Sequence, residues 1–323
     1  MLDIKLIRDD PDVVRKDLKK RKDSEKLEML EELIEKDKEW RSINVEIEKL
    51  KQQRNSISKE ISQLKKSEKD ITKQMKQASS IPKEIEDNEK KMKILKEECD
   101  YNLMRLPNIL HESVPYGKDS SENVIVREWG KKPKFTFPLK SHIELCEYLD
   151  IADFDRAVKL SGSGFYILKN ELALLQHALT RFTIDHLMKK KYTVIDPPVM
   201  MKREPYEGVT DLADFENVMY KIDNQDLYLI ATSEHPMAGM YMNEVIDDKE
   251  LPIKLCGMSP CFRKEIGSHG LDTKGLFRVH QFYKVEQFIF CKPEESWKYH
   301  EELIKNAEEI FQKLEIPYHV VNI

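Results

Sequence analysis

The stretch Cys261–Phe290, CFRKEIGSHGLDTKGLFRVHQFYKVEQFIF, concentrates the side chains of this protein that could do chemistry. Two strand-like segments flank a loop, Gly267 to Gly275, that holds three glycines, His269 and several charges. Side chains on a strand alternate faces with a period of two. Arg263 and Glu265 therefore share one face of the first segment, and Arg278, Phe282 and Glu286 share one face of the second. Two guanidinium groups, two carboxylates and a phenyl ring on one surface could hold an anion, a flat ring and an ammonium group together.

Each residue has a plainer alternative. The Arg263 fork matches a phosphate or carboxylate bidentately, or makes a surface ion pair. Glu265 can accept a hydrogen bond from an exocyclic amine, and Phe282 can stack on a base or simply pack in a core. Arg278 can meet outer phosphates. Val279 falls on the opposite face, which leaves only its backbone to touch a ligand. Glu234 and Glu286, acceptors only when ionised, suit an ammonium group and a hydroxyl. Thr232 shares a face with Glu234 in the ATSE segment. The loop 267–275 can close over a nucleotide, with Lys274 and His269 as contacts. It is the joint spacing, not any one residue, that argues for a site. The chain has no GxxxxGK[ST], no GxGxxG after a strand and no HExxH, so a nucleotide would bind by the hairpin and not by a P-loop. His269 and His280 are not at a metal-ligand spacing, and His280 reads as a structural hydrogen-bonding residue rather than a general base.

Two kinds of element must position these groups. Leu33, Trp40, Ile43, Ile47, Leu50, Ile57, Ile61 and Leu64 fill eight of ten steps of alternating three and four residues, with Lys36 and Arg54 as exceptions. No Pro or Gly interrupts them, which predicts a long helix with a coiled-coil seam. A second, weaker seam runs through Ile85, Asn88, Met92, Leu95, Cys99, Asn102 and Leu106, with Pro82 suited to its first turn and Pro107 as its stop. Together they predict an antiparallel helical hairpin roughly 60 Å long, its tip near residues 65–82. Beyond it, Pro107, Pro115, Gly117, Gly130, Pro133 and Pro138 break the pattern. The strand-like segments TVIDPPV, MYKI, LYLIATSE, LPIKLCG and the hairpin follow. They lie beside a helix that Asn170 would cap, with Leu172, Leu175, Leu179, Phe182 and His186–Leu187 on one stripe, and a later one with Trp297, Ile304, Ala307, Ile310 and Phe311 inward. Strands without regular βαβ alternation argue for an α+β protein: a coiled-coil hairpin over residues 1–108, then a mainly antiparallel β-sheet domain flanked by helices over 109–323.

The formal charge of −5 on 323 residues carries no global nucleic-acid signal, but the charge is uneven. Residues 49–76 hold nine Lys/Arg against three Asp/Glu, a local +6 at the distal part of the arm. That excess is either a solvated face or a phosphate-binding one. The five cysteines form no CxxC pair and are odd in number, which argues against a zinc site or a disulfide framework and for free thiols in a reducing cytosol. The start MLDIKLIRDD is acidic too early for a signal peptide, and no apolar run approaches a membrane span.

FRKEIGSHGLDTKGLFRVHQFYKVEQF closely resembles motif 2 of seryl-tRNA synthetases, which are class II aminoacyl-tRNA synthetases. The resemblance extends over essentially the whole chain. MLDIKLIRDDPDVVRKDLKKR looks like the usual start of that family, the helical hairpin like its tRNA-binding arm, and the helix ending in YTVIDPPVM like motif 1, with Pro197–Pro198 at a homodimer interface. PYEGVTDLADFENVMYKI and ATSEHP resemble the archaeal and eukaryotic branch. The resemblance implies an ATP-dependent serine–tRNA ligase of the cytoplasm. Its catalytic residues would be Arg263, Glu265 and Arg278. Arg263 would grip the ATP α-phosphate and the serine carboxylate, Glu265 would read the adenine amine, and Phe282 would stack on the ring. Arg278 would approach the γ-phosphate, with Lys264 and the Val279 backbone as further ATP contacts. Thr232, Glu234, Glu286 and Arg263 would hold serine. Arg54, Lys65, Lys66, Lys69 and Lys73 would meet the tRNA for serine, and the selenocysteine tRNA is a further partner that the family allows.

The family's pattern continues beyond the point where PYHVVNI stands, into further strands and a third motif. That part supplies an arginine against ATP and ligands for Mg²⁺, so no metal-binding residue is expected here. The alternative is a tRNA-binding fragment or degenerate paralogue that keeps the arm without the chemistry. A purely structural coiled-coil protein would leave the spacing of Arg263, Glu265, Phe282 and Glu286 without a reason.

Overall fold

The structure, a computed structural model, describes residues 2–67, 70–117, 119–210, 216–265 and 275–323. Lys69, His269 and Lys274 lie outside the described residues. The chain divides into two compact units, residues 1–126 with 321–323, and residues 127–320.

In the first unit, Asp3 caps α1 (Ile4–Asp9) and Pro11 opens α2 (Pro11–Arg21) at the position where a missing N–H costs nothing. Asp23 caps α3 (Ser24–Lys66) by accepting from the Lys26 amide at 3.0 Å. At 1.5 Å per residue α3 is about 65 Å long, and α4 (Thr72–Arg105) returns along it. The apolar spacing does the joining. Leu33, Ile43, Ile47 and Leu50 are buried, as are Ile81, Ile85, Leu95 and Cys99 on α4. The seam loosens outward: Ile57, Ile61 and Leu64 are half-buried. Two expectations need correction. Pro82 sits inside α4, ten residues past its start, so residues 72–82 belong to the returning helix and not to the tip. A proline removes one helical hydrogen bond. Here burial of Ile81 and Ile85 against α3 outweighs that loss. The spacing also missed Asp37, a buried carboxylate on α3. It accepts from Arg8 Nε at 3.0 Å and Nη2 at 2.6 Å, and from Arg41 Nε at 2.9 Å, tying α1 to α3.

After β1 (Val124–Trp129), the second unit carries α5 (His142–Tyr148), β2 (Ala152–Asp153), α6 (Phe154–Ser161) and β3 (Ile167–Leu168). Then come α7 (Asn170–Lys189), β4 (Thr193–Ile195), β5 (Met200–Met201), α8 (Arg203–Glu207) and β6 (Tyr228–Leu229). Among the described residues, α9 (Glu234–Gly239), β7 (Ile253–Phe262), β8 (Gln281–Phe290), α10 (Ser296–Lys313) and β9 (Tyr318–Asn322) complete the order. The α+β expectation holds. The sheet that matters has strand order β4-β7-β8, with β7 and β8 antiparallel over ten residue pairs. Its β4–β7 pair is parallel, while β2–β3, β5–β6 and β7–β8 are antiparallel, in keeping with the mainly antiparallel expectation. LPIKLCG and the first arm of the hairpin are one continuous strand, β7.

One face of β8 is covered. Val285 and Ile289 pack with Leu187, Tyr192 and Cys256, and Asn306 of α10 donates to the Gln287 side chain at 2.7 Å. The period of two then aims Phe282, Lys284 and Glu286 the other way. Lys169, not Asn170, precedes the first turn of α7. The apolar stripe of α7 is unevenly covered: His186 and Leu187 are buried and Leu172 and Phe182 half-buried, while Leu175 is 51 % and Leu179 38 % exposed. Trp297 and Phe311 of α10 are likewise exposed rather than inward.

Candidate active site

The β7–β8 register sets Phe282 opposite Cys261 and Glu286 opposite Gly257. Gly257 packs closely here: a Cβ would lie 2.8 Å from Met237 and from the Ser233 hydroxyl, so those side chains would have to shift. The ladder ends at Phe262 and Gln281, which corrects the expectation of two extended faces. Arg263, Lys264 and Glu265 lie past β7, Arg278 and Val279 lie before β8, and Glu265 is left-handed at φ +46°. Arg263 and Glu265 are thus not period-two neighbours on a strand.

The side chains nevertheless form two groups on this end of the sheet. Arg263 donates from Nε to the Ala231 carbonyl at 3.3 Å, and its guanidinium carbon lies 5.2 Å from the centre of the Phe282 ring. At that distance the cation is held by the ring face, and among the described residues no carboxylate pairs with it. Arg278 donates from Nε to Glu265 at 2.8 Å. Lys264 goes elsewhere: its Nζ lies 5.9 Å from the Tyr220 ring centre and its amide donates to the Val218 carbonyl at 2.9 Å. Val279 is buried.

The second group is built on Glu286. The buried Thr232 hydroxyl donates to Glu286 Oε2 at 3.1 Å and accepts from the Glu234 amide at 3.1 Å. The strand expected over ATSE is absent. β6 stops at Leu229, and Ser233 leads into α9, where Pro236 occupies a first-turn position that needs no amide hydrogen. Glu234 consequently sits at the start of a helix with its side chain exposed, and only its backbone joins the Thr232 hydroxyl.

Three residues of this neighbourhood were missed by the reading of the sequence. Lys284 pairs with Glu286 and lies between Phe282 and Glu286 on the same face, so the period-two rule could have found it. Tyr206 and His235 carry no such signal, being brought together by the turn into α9. The Tyr206 hydroxyl oxygen accepts from the Ala231 amide at 3.3 Å and lies 2.8 Å from His235 Nδ1. Burial pushes the His235 imidazole down to about 4, with the Lys284 and Arg263 charges adding to the effect, so it is neutral near pH 7. Burial also lifts the Tyr206 hydroxyl to about 12. This pair therefore acts as a neutral hydrogen-bonding support. It holds the amide of Ala231, whose carbonyl holds Arg263.

On the arm, Arg54, Lys65, Lys66 and Lys73 are exposed and pair with no carboxylate among the described residues. Nearer the base, Lys36, Lys51 and Lys91 reach Glu98, Glu89 and Glu39 on the facing helix. Charge is thus neutralised along the shaft and left open in its outer part. All five cysteines are free. Among the described residues no three His, Cys, Asp or Glu side chains converge to hold a metal ion, and no helix is long and apolar enough to cross a membrane.

Comparison with known proteins gives one consistent result. Residues 1–110 match the family described as "Seryl-tRNA synthetase N-terminal domain", and residues 217–323 match "tRNA synthetase class II core domain (G, H, P, S and T)". Serine–tRNA ligases of Methanocella arvoryzae and Methanoculleus marisnigri are 54% and 57% identical over all of this chain, which spans 76% of each. The crystal structure of seryl-tRNA synthetase from Pyrococcus horikoshii complexed with ATP superposes with a TM-score of 0.94 at 48% identity, covering 99% of this chain and 76% of that one. The cytoplasmic serine–tRNA ligase of Naegleria fowleri in complex with AMP gives 0.87 at 33% identity, covering 100% and 78%. On this likeness of sequence and fold, the chain belongs to the serine–tRNA ligase family.

Proposed function

We propose that this chain binds ATP and L-serine at the β7–β8 site, joins them as seryl-adenylate, and passes the seryl group to the 3′ end of the serine tRNA held by the arm. The observation that carries this reading is Arg263, held at Nε by Ala231 and lying over the Phe282 ring, with no carboxylate partner of its own among the described residues. An adenine ring entering beside Phe282 would bring its α-phosphate to that guanidinium, with Lys264 and the Val279 backbone as further contacts. Nucleotide complexes of two relatives support the choice of ligand.

In the first step the serine carboxylate attacks the α-phosphorus of ATP and pyrophosphate leaves. Arg263 would stabilise the charge that builds on the α-phosphate, and Arg278 and Glu265 would bracket the γ-phosphate and the adenine amine. In the second step the terminal ribose hydroxyl of tRNA attacks the seryl carbonyl and AMP leaves. These residues position and stabilise charge, which is where the rate enhancement would arise. Serine would be recognised at Glu286 and Thr232, its ammonium displacing that of Lys284, with Glu234 lending its carboxylate from the start of α9. Mg²⁺ accompanying ATP would neutralise charge on the phosphates, and none of the residues named above is proposed as its ligand.

The arm would reach tRNA through Arg54, Lys65, Lys66, Lys69 and Lys73, and a homodimer formed through Pro197–Pro198 would cover apolar side chains such as the exposed Val194. A cytoplasmic setting, and an arm domain over 1–108 joined to a catalytic domain over 109–323, belong to the same reading. Serine-dependent ATP–pyrophosphate exchange tests it: exchange by the purified chain supports the ligase, and tRNA retention without exchange supports a tRNA-binding fragment that has lost the chemistry.

A further inference from the structure

In an antiparallel ladder a closely hydrogen-bonded pair exchanges two N–H···O bonds. The next pair beyond Phe262 and Gln281 would be Arg263 and His280. Half of it forms, as the Arg263 amide donates to the His280 carbonyl at 2.9 Å. The other half does not, because the His280 amide turns away to the Gly164 carbonyl at 2.8 Å. The Arg263 carbonyl would lose its partner. It meets instead the His280 imidazole, whose Nδ1 lies 2.8 Å away. A carbonyl only accepts, so Nδ1 carries the proton. The Tyr220 hydroxyl, 2.9 Å from the same nitrogen, shares it. The ring is held between neighbours: Phe165 stacks on it at 5.1 Å, Tyr220 meets it edge-on at 6.2 Å, and Gly164 leaves it room, since a Cβ there would stand 2.5 Å from His280 Cδ2.

The two chains separate at this point. Lys264 is drawn to Val218, and His280 to Gly164. The divergence opens the end of the ribbon where Glu265 and Arg278 face each other through side chains alone. We propose that His280 is a positioning residue for Arg263: its Nδ1–H replaces the missing ladder bond and fixes the Arg263 main chain at the point where the ladder ends and the ribbon forks around it. With backbone amide, backbone carbonyl and Nε all held, the guanidinium is fixed over Phe282. The role in ligand binding rests on the proposed ATP site; the clamp itself rests on the geometry.

The test compares two replacements of opposite character in the full chain. His280→Phe keeps a ring against Phe165 and lacks the donor. His280→Asn loses the ring and keeps a nitrogen donor near the position of Nδ1. ATP affinity is measured by calorimetry beside wild type and Arg263→Ala, with melting temperature as a control. The clamp predicts that His280→Phe weakens ATP about tenfold, the scale of one hydrogen bond, and that His280→Asn stays within about threefold of wild type. The reverse order, or equal affinities for wild type and His280→Phe, overturns it. If Arg263→Ala binds ATP as wild type does, the ATP reading fails instead. The nitrogen NMR signals of His280 decide the clamp independently of ATP: a neutral ring protonated at Nδ1 supports it, and a bare Nδ1 contradicts it.

Discussion

The Thr232 hydroxyl donates to the Glu286 carboxylate at 3.1 Å, joining the turn before α9 to the middle of β8. Fifty-four residues separate the two in sequence, and the site for serine is proposed where they meet. Hydrogen bonds to charged groups contribute about 1.5–3 kcal/mol. Glu286→Gln is therefore expected to raise the KM for serine by roughly ten- to a hundredfold while leaving ATP affinity near wild type. Steady-state exchange kinetics with serine and ATP varied separately checks this. A parallel loss of both affinities would move Glu286 out of the serine site.

Arg263→Ala is expected to lower serine-dependent exchange by about 10²–10³-fold, the scale for removing one donor to developing charge, with tRNA binding intact. Filter binding of labelled tRNA alongside the exchange assay separates the two. Arg263→Lys should recover little, because a point charge reproduces neither the fork nor the planar contact with Phe282.

Charge reversal on the outer arm should do the opposite. Lys65→Glu, Lys66→Glu and Lys73→Glu together are expected to weaken tRNA binding and leave exchange unchanged. The dependence of tRNA affinity on salt should also flatten, by roughly one unit of log–log slope for each phosphate that is no longer neutralised. An unaltered slope would mean that these exposed cations are only a solvated face.

Acid should loosen the base of the arm through Asp37. Burial alone would raise its carboxyl, but the hydrogen bonds from Arg8 and Arg41 outweigh burial and hold it below the usual aspartate range. Its contribution to stability is thus complete above that range, where the unfolded chain is also ionised. It is lost as the pH falls through the lowered folded value, since the unfolded state then binds the proton first. Asp37→Asn is expected to cost about 1–3 kcal/mol at pH 7. Its melting temperature should converge on that of wild type in acid. A constant gap across the pH range would remove Asp37 from this role.

The helical arm was legible because its apolar spacing reports burial directly, and Ile43, Ile47, Leu50 and Leu95 sit where that spacing puts them. Asp37 was not, since a charge is buried only when distant partners meet it, here Arg8 and Arg41. Local rules misread Pro82 and the ATSE segment, where packing of Ile81 and Ile85 and a helical turn before Pro236 prevailed. In the site, Phe282 and Glu286 could be paired by period because they stand on a regular strand. Arg263, Glu265 and Arg278 could not, because the ladder ends before them and His280 redirects the chain. Leu175 and Leu179 share a stripe with the buried Leu187 yet are exposed themselves, which the spacing alone does not tell.

The most direct measurement of the central claim is calorimetric titration of the full chain with a non-hydrolysable seryl-adenylate analogue and with its alanyl counterpart. A site that hydrogen-bonds the serine hydroxyl through Thr232 and Glu286 and the adenylate through Arg263 and Phe282 should bind the seryl analogue and reject the alanyl one by up to about 10⁴-fold. The preference should collapse in Thr232→Ala, and overall affinity in Arg263→Ala. Equal binding of the two analogues, or binding of neither, would contradict the account.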